Sequence, residues 1–179
     1  MTNYQFRNAK LEDTPLIAAL HAENWRKEYQ GILPDEYLQT QVCEERLAHW
    51  SILLSPDGPS PIVVVAFDDA ELAGFAAIIR NQDKAADATL DNLHVARRAR
   101  KKGLGRTLMA RAVAQHMDAG GKSLCLWVFD DNQAAFRLYE RLGGEKTETG
   151  FDTMHGANAA HTQFTWYNLS ELLAKCRDR

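Results

Sequence analysis

Long apolar runs are missing from this chain. The longest, 62–67 and 73–79, fall far short of the roughly 20 residues that span a bilayer, so no membrane segment or membrane partner is expected. The N-terminus lacks the charged-then-apolar order of a secretory signal. Cysteine is scarce: Cys43, Cys125 and Cys176 are odd in number, widely spaced and without a CxxC pair. That argues against a disulfide framework or a thiolate zinc site and for a reducing compartment, so a cytoplasmic protein is expected. His155 and His161 flank a loop near Asp152 but lack HxxxH or HExxH spacing, and no metal is expected. The net charge of -3 gives no overall pull toward nucleic acid. Repeats, low-complexity tracts and linkers are absent, and 179 residues suit one domain over 1–179.

What the chain does have is alternation of helix and strand. Residues 14–30 read as a helix with Thr14 as N-cap and Pro15 in the first turn. Residues 34–54 read as further helix, closed by the turn-rich SPDGPSP. Apolar runs 62–67 and 71–80 flank DDA as a hairpin, and 88–95 is another strand. From Leu104 the spacing of Leu108, Met109, Ala112, Val113 and Met117 is helical, ending at Gly120-Gly121. Residues 123–129 form a buried strand, 133–142 a helix, and strands near 145–152 and 161–168 precede a short closing helix. The pattern predicts an α/β protein, a mixed sheet with helices on both faces.

The segment RRARKKGLGRT, 97–107, packs six basic residues into the ten from Arg97 to Arg106. It lies between a strand ending at Val95 and the helix from Leu104. A helix N-terminus carries about +0.5 charge and unsatisfied N–H donors, and glycine lets an anion approach the main chain. A pyrophosphate is the expected ligand. The Walker spacing fails, because Gly105 is followed by Arg106-Thr107; the dinucleotide fingerprint fails, because Leu108 stands where its third glycine belongs. The spacing that fits is [RQ]xxGx[GA], as Arg100-Lys101-Lys102-Gly103-Leu104-Gly105.

In this setting the motif resembles the coenzyme A loop of the GNAT N-acetyltransferase superfamily. A second match lies in LCLWVFDDNQAAFRLYERLGG, where Asn132 precedes Tyr139 by seven positions, and the likeness runs over essentially the whole chain. The resemblance implies a mostly antiparallel sheet of six or seven strands, acetyl-CoA as cosubstrate without a metal, and splayed strands ending at Val95 and Phe129. Pantetheine would lie along Leu93, His94 and Val95. Arg100, Lys101, Lys102, Gly103, Leu104, Gly105 and Arg106 would take the pyrophosphate. Asn132, Phe136 and Tyr139 would complete the cofactor site, with Tyr139 as general acid. A phenol of pKa about 10 stays protonated at neutral pH and donates to a departing thiolate.

The base is open. Where relatives carry a glutamate this chain has Trp127 or Thr89, leaving Asp91 or His94, or a water chain ending on main-chain carbonyls. On the acceptor side Trp25, Tyr29 and Tyr37 offer aromatic faces to an ammonium, with Glu28, Asp35 and Glu36 nearby. These point to a small primary amine as acceptor, a polyamine or amino compound, and the resemblance implies that it attacks the thioester directly in a ternary complex. A peptide N-terminus, a protein lysine and a non-catalytic acyl-CoA sensor stand as alternatives. A nucleic-acid patch at 97–106 ranks last, since no aromatics interleave its basic residues. The resemblance allows a homodimer.

Overall fold

The computed structural model describes residues 3–81, 86–153 and 159–177. Seven strands form one sheet in the order β1-β2-β3-β4-β5-β7-β6. They are β1 (Gln5–Asn8), β2 (Ile62–Asp68), β3 (Glu71–Arg80), β4 (Ala88–Val95), β5 (Leu124–Phe129), β6 (Glu145–Asp152) and β7 (Ala159–Trp166). Every neighbouring pair is antiparallel except β4 and β5. The helices are α1 (Thr14–Glu28), α2 (Val42–Leu53), α3 (Leu104–Asp118), α4 (Gln133–Arg141) and α5 (Leu169–Arg177).

Period-two alternation on the central strands divides the core in two. Val64, Ala66, Ala76 and Ile78 pack with Leu108 and Met109 of α3 and Leu172 of α5. Val63, Val65, Phe75 and Ala77 face the other way, against Ile17 and Leu20 of α1 and Trp50 and Leu53 of α2. The centre of the sheet is therefore buried on both faces, which explains the near-continuous apolar runs of β2 and β3.

The N-terminal third departs most from the sequence reading. The short edge strand β1 was not anticipated: four residues with one half-buried position, Phe6, carry no alternation long enough to see. Asp13, not Thr14, precedes α1 as its N-cap, and α1 ends at Glu28. Buried Asp13 accepts from Arg7 Nη1 at 2.6 Å and Nη2 at 2.8 Å and from the Lys10 amide at 2.7 Å, tying β1 to the start of α1. The expected 34–54 helix is a π-helical turn over Tyr37–Gln41 followed by α2. Thr40 Oγ1 donates back to the Glu36 carbonyl at 2.7 Å within that turn. Strand β7 begins and ends two residues before the expected 161–168.

Candidate active site

Parallel strands β4 and β5 share one register pair among the described residues, Thr89 opposite Cys125. β4 stays paired with β3 as far as Val95, and β5 stays paired with β7 as far as Phe129. Between them the sheet opens into a cavity of about 1040 Å³, walled by residues 90–95 of one strand and 126–129 of the other. The β4 edge at Leu93–Val95 thus faces a gap instead of a neighbouring strand.

At the end of that edge the chain makes a short 3-10 turn at Arg97–Ala99 and then bends sharply into α3. Lys101 has φ 60° and Gly103, the N-cap of α3, has φ 79°. Glycine is required at 103 for its left-handed backbone and not for space, since a Cβ there would meet nothing within 4 Å. Gly103 offers no side chain to cap the first turn, and Gly103, Leu104 and Gly105 at that turn line the cavity. Arg106, Arg141 of α4 and Lys175 of α5 also reach the cavity wall.

Arg100 does not extend along the loop. Its Nε donates to the Val95 carbonyl at 3.1 Å, its Nη2 to Asn24 Oδ1 at 2.8 Å, and its Nη1 pairs with Glu28 Oε1 at 2.5 Å. The side chain therefore anchors the loop to α1, and Lys101 and Arg106 are the loop's basic residues that line the cavity beside it. Asn24, buried on α1, also gives Nδ2 toward His94 Nδ1 and the Val95 carbonyl, each at 3.4 Å.

Across the gap, Asn132 caps α4, its Oδ1 accepting from the Ala135 amide at 3.2 Å. One face of Tyr139 packs near Phe164 and Trp166, ring centroids 6.0 and 6.1 Å away, while its side chain lines the cavity. Burial, with the neighbouring Tyr29, pushes its phenol well above the ordinary value. Tyr29 is itself pushed up to about 12 by burial and by Glu28 and Asp152.

Both base candidates sit on β4 and border the cavity, with opposite electrostatics. Ala77 pairs with Asn92 and Ile78 with Leu90, so Asp91 is the unpaired residue of a β-bulge. The bulge carries Asp91 into the wall, where Asn92 Nδ2 donates to its Oδ2. Its exposed surface faces the cavity, and burial raises the carboxyl against the opposing pull of His49, Arg46 and Asn92. His94 packs on His21 at 4.4 Å and Phe75 at 5.2 Å. Burial, with Arg100 and Arg46, pulls it down to about 3. It is neutral and weakly basic.

Of the sequence-expected cofactor residues, Leu93, His94, Val95, Arg100, Lys101, Gly103, Leu104, Gly105, Arg106, Asn132 and Tyr139 line this one cavity. Lys102 and Phe136 do not. Lys102 is exposed, and Phe136 packs edge-on against Phe164 with Lys146 Nζ 4.7 Å over its ring. Trp25 and Tyr29 line the cavity, but Tyr37 is buried with Ala22, Leu33, Leu38 and Val42, because the π-turn directs it into that cluster. Glu28 borders the cavity, whereas Asp35 and Glu36 are exposed outside it. Asn24, Arg46 and His49 were not anticipated. Their signal was helical spacing: Asn24 with Glu28 on α1, and Arg46 with His49 on α2. His155 lies outside the described residues. Among those residues no group of three or more His, Cys, Asp or Glu could hold a metal, and no helix is long and apolar enough to cross a membrane.

Comparison with known proteins agrees with this geometry. Residues 18–144 match the model of the acetyltransferase (GNAT) family. An uncharacterized N-acetyltransferase of Bacillus subtilis is 26% identical over 93% of this chain and 94% of its own length. A spermidine N(1)-acetyltransferase of Thermoplasma acidophilum is 26% identical over 81% of this chain and 90% of its own. The PaiA N-acetyltransferase of Thermoplasma acidophilum, solved in complex with coenzyme A, superposes with a TM-score of 0.72 at 22% identity, covering 92% of this chain and 99% of that one. A parted pair of parallel strands, a glycine-bent basic loop opening a helix, and a family match over most of the chain converge: this protein belongs to the acetyltransferase (GNAT) family.

Proposed function

We propose that the protein transfers the acetyl group of acetyl-CoA to a small primary amine, a polyamine or amino compound, by direct attack in a ternary complex. The observation that carries this reading is the open β4 edge running straight into the Gly103 bend, with Asn132 and Tyr139 on the opposite wall. Acetyl-CoA supplies the activated acetyl thioester. The free edge at Leu93–Val95 suits an amide-bearing arm, and the α3 amides with Lys101, Arg106, Arg141 and Lys175 suit its phosphates.

In the transfer a C–N bond forms, the C–S bond breaks, and the amine's surplus proton leaves. An alkylammonium of pKa about 10.4 must first lose a proton, an obstacle of about 4–5 kcal/mol at neutral pH. Asp91 receives it, directly or through water. Its raised pKa makes it a better base than an ordinary carboxylate, and His94 at about 3 is too weak for the task. Tyr139 donates a hydrogen bond to the departing sulfur. Its raised pKa keeps the proton on oxygen throughout the physiological range and makes it a donor more than a full proton source.

The test is a thermal-shift titration followed by turnover. Acetyl-CoA at about one hundred times its Kd is expected to add about 2.7 kcal/mol, a rise of roughly 5–10 °C for this size of chain. ATP at equal concentration is expected to give none. A stable acetyl-CoA complex that acetylates no primary amine would favour the acyl-CoA sensor instead.

A further inference from the structure

Resting on that reading, we infer that the acceptor amine carries an acidic group, a carboxylate, and that Arg46 is the residue that selects it. Helix α2 presents Arg46 and His49 to the same cavity that Asp91, Trp25 and Tyr29 line. The Arg46 side chain keeps 11% of its surface exposed, so its charge sits largely out of water. A guanidinium offers five N–H donors in one planar fork. Here Nη2 pairs with the half-exposed Glu45 carboxylate, and Nε is buried without a hydrogen-bond partner. The guanidinium carbon lies 4.5 Å over the Trp25 ring. That contact uses the face of the group and none of its donors.

An unsatisfied buried donor on a cation is costly to leave unmade. A carboxylate is the ligand that a guanidinium fork matches best. The rest of this end of the cavity is consistent with an acidic rather than a purely cationic guest. Glu28 is engaged by Arg100, and Asp35 and Glu36, the carboxylates suited to a polyamine, stand outside. Of the other carboxylates lining the cavity, Asp152 acts on Tyr29 while Asp91 is the one that Arg46 acts on, and Asp91 is assigned to the amine. Its charge and that of Arg46 are close enough to act on each other, so an amine and a carboxylate on one short skeleton can meet both. Trp25 at Arg46, with Tyr29 and Phe129 in ring contact beyond it, lines the same cavity and suits an apolar or aromatic side chain on the guest.

Release of free coenzyme A thiol is measured with matched pairs that differ in the carboxylate alone: phenylalanine against phenethylamine, methionine against 3-(methylthio)propylamine, with spermidine as the polyamine arm. Each is run with the wild type and with Arg46→Met and Arg46→Lys, and acetyl-CoA binding is followed for all three proteins by thermal shift. The carboxylated member is expected to lead in kcat/KM by about 30-fold or more, the scale of a buried charge pair. Arg46→Met is expected to collapse that ratio toward one, and Arg46→Lys to restore part of it. Preference for spermidine or for the decarboxylated amine overturns the inference. So does turnover of neither member while acetyl-CoA still stabilises the fold, and so does a ratio untouched by Arg46→Met. A fold that acetyl-CoA does not stabilise instead overturns the acetyl-transfer reading itself.

Discussion

Asn24 of α1 accepts from Arg100 Nη2 at 2.8 Å while its own amide nitrogen reaches the Val95 carbonyl. One buried side chain thus joins a helix, the end of a strand and the basic loop. Removing it leaves Arg100 held by the Val95 carbonyl and Glu28 alone, loosens the loop proposed to hold the pyrophosphate, and leaves a charged donor partly unmet. Asn24→Ala is expected to raise the KM for acetyl-CoA by about tenfold and to lower stability by about 1.5–3 kcal/mol, the range for hydrogen bonds to charged groups. Glu28→Gln, which breaks a half-exposed ion pair with the same Arg100, is expected to cost under about 1 kcal/mol. Equal effects from the two substitutions, by urea unfolding and steady-state kinetics, would refute this division of labour.

Much of the cavity wall proposed for the cofactor could be read from the sequence, because its geometry is local. The motif from Arg100 to Gly105 and the capping Asn132 act through main-chain geometry that neighbouring residues dictate. The acceptor side could not. Asn24, Arg46 and His49 reach the cavity only because α1 packs beside β4 and α2 packs against α1. Their spacing on each helix fits a solvated face as well as it fits a cavity wall. Tyr37 failed for the complementary reason: an aromatic beside two cavity-lining aromatics looked like a third, but the π-turn rotates it into the cluster around Val42. The Asp91 bulge depends on the β3 register and has no signature within β4 alone.

Tyr139→Phe isolates the hydroxyl, since the ring and its contacts with Phe164 and Trp166 are kept. It is expected to lower kcat by about 100-fold, the lower end of what one preorganised hydrogen-bond donor supplies. The acetyl-CoA thermal shift is expected to stay within about 2 °C of wild type. A kcat within threefold of wild type would reduce Tyr139 to core packing.

Asp91 carries a raised pKa and acts as its carboxylate, so the proposed base is lost as pH falls through that raised value. Wild-type kcat/KM for the amine is expected to climb with pH above the ordinary carboxylate range. Asp91→Asn is expected to lose about 100-fold near neutrality. The deficit should shrink as pH nears about 10.4, where the amine sheds its proton unaided. A loss that is constant across pH would point to a structural role for the bulge, not to proton transfer.

His94, at about 3, and His21, also pulled far down by burial, form a neutral, tilted ring pair at the cavity wall. His21 Nδ1 accepts from Trp50 Nε1 at 3.0 Å. Such rings stay uncharged in the fold but take up protons in the unfolded chain once pH drops below about 6.5. Acid therefore favours the unfolded state, and the stability these rings contribute is whole above about 6.5 and is lost as pH falls toward the folded values. Each histidine adds a slope of at most about 1.4 kcal/mol per pH unit. His49, lowered by burial and Arg46, works in the same direction; Asp91, raised, works against it. Asp13 is held low by Arg7 and contributes its own loss mainly below about pH 4. Urea midpoints between pH 7.5 and 4.5 are thus expected to fall steadily, and His94→Gln to make that fall shallower. A flat profile over the interval would mean that these rings are already protonated in the fold, and the neutral packing of His94 against His21 would have to be abandoned.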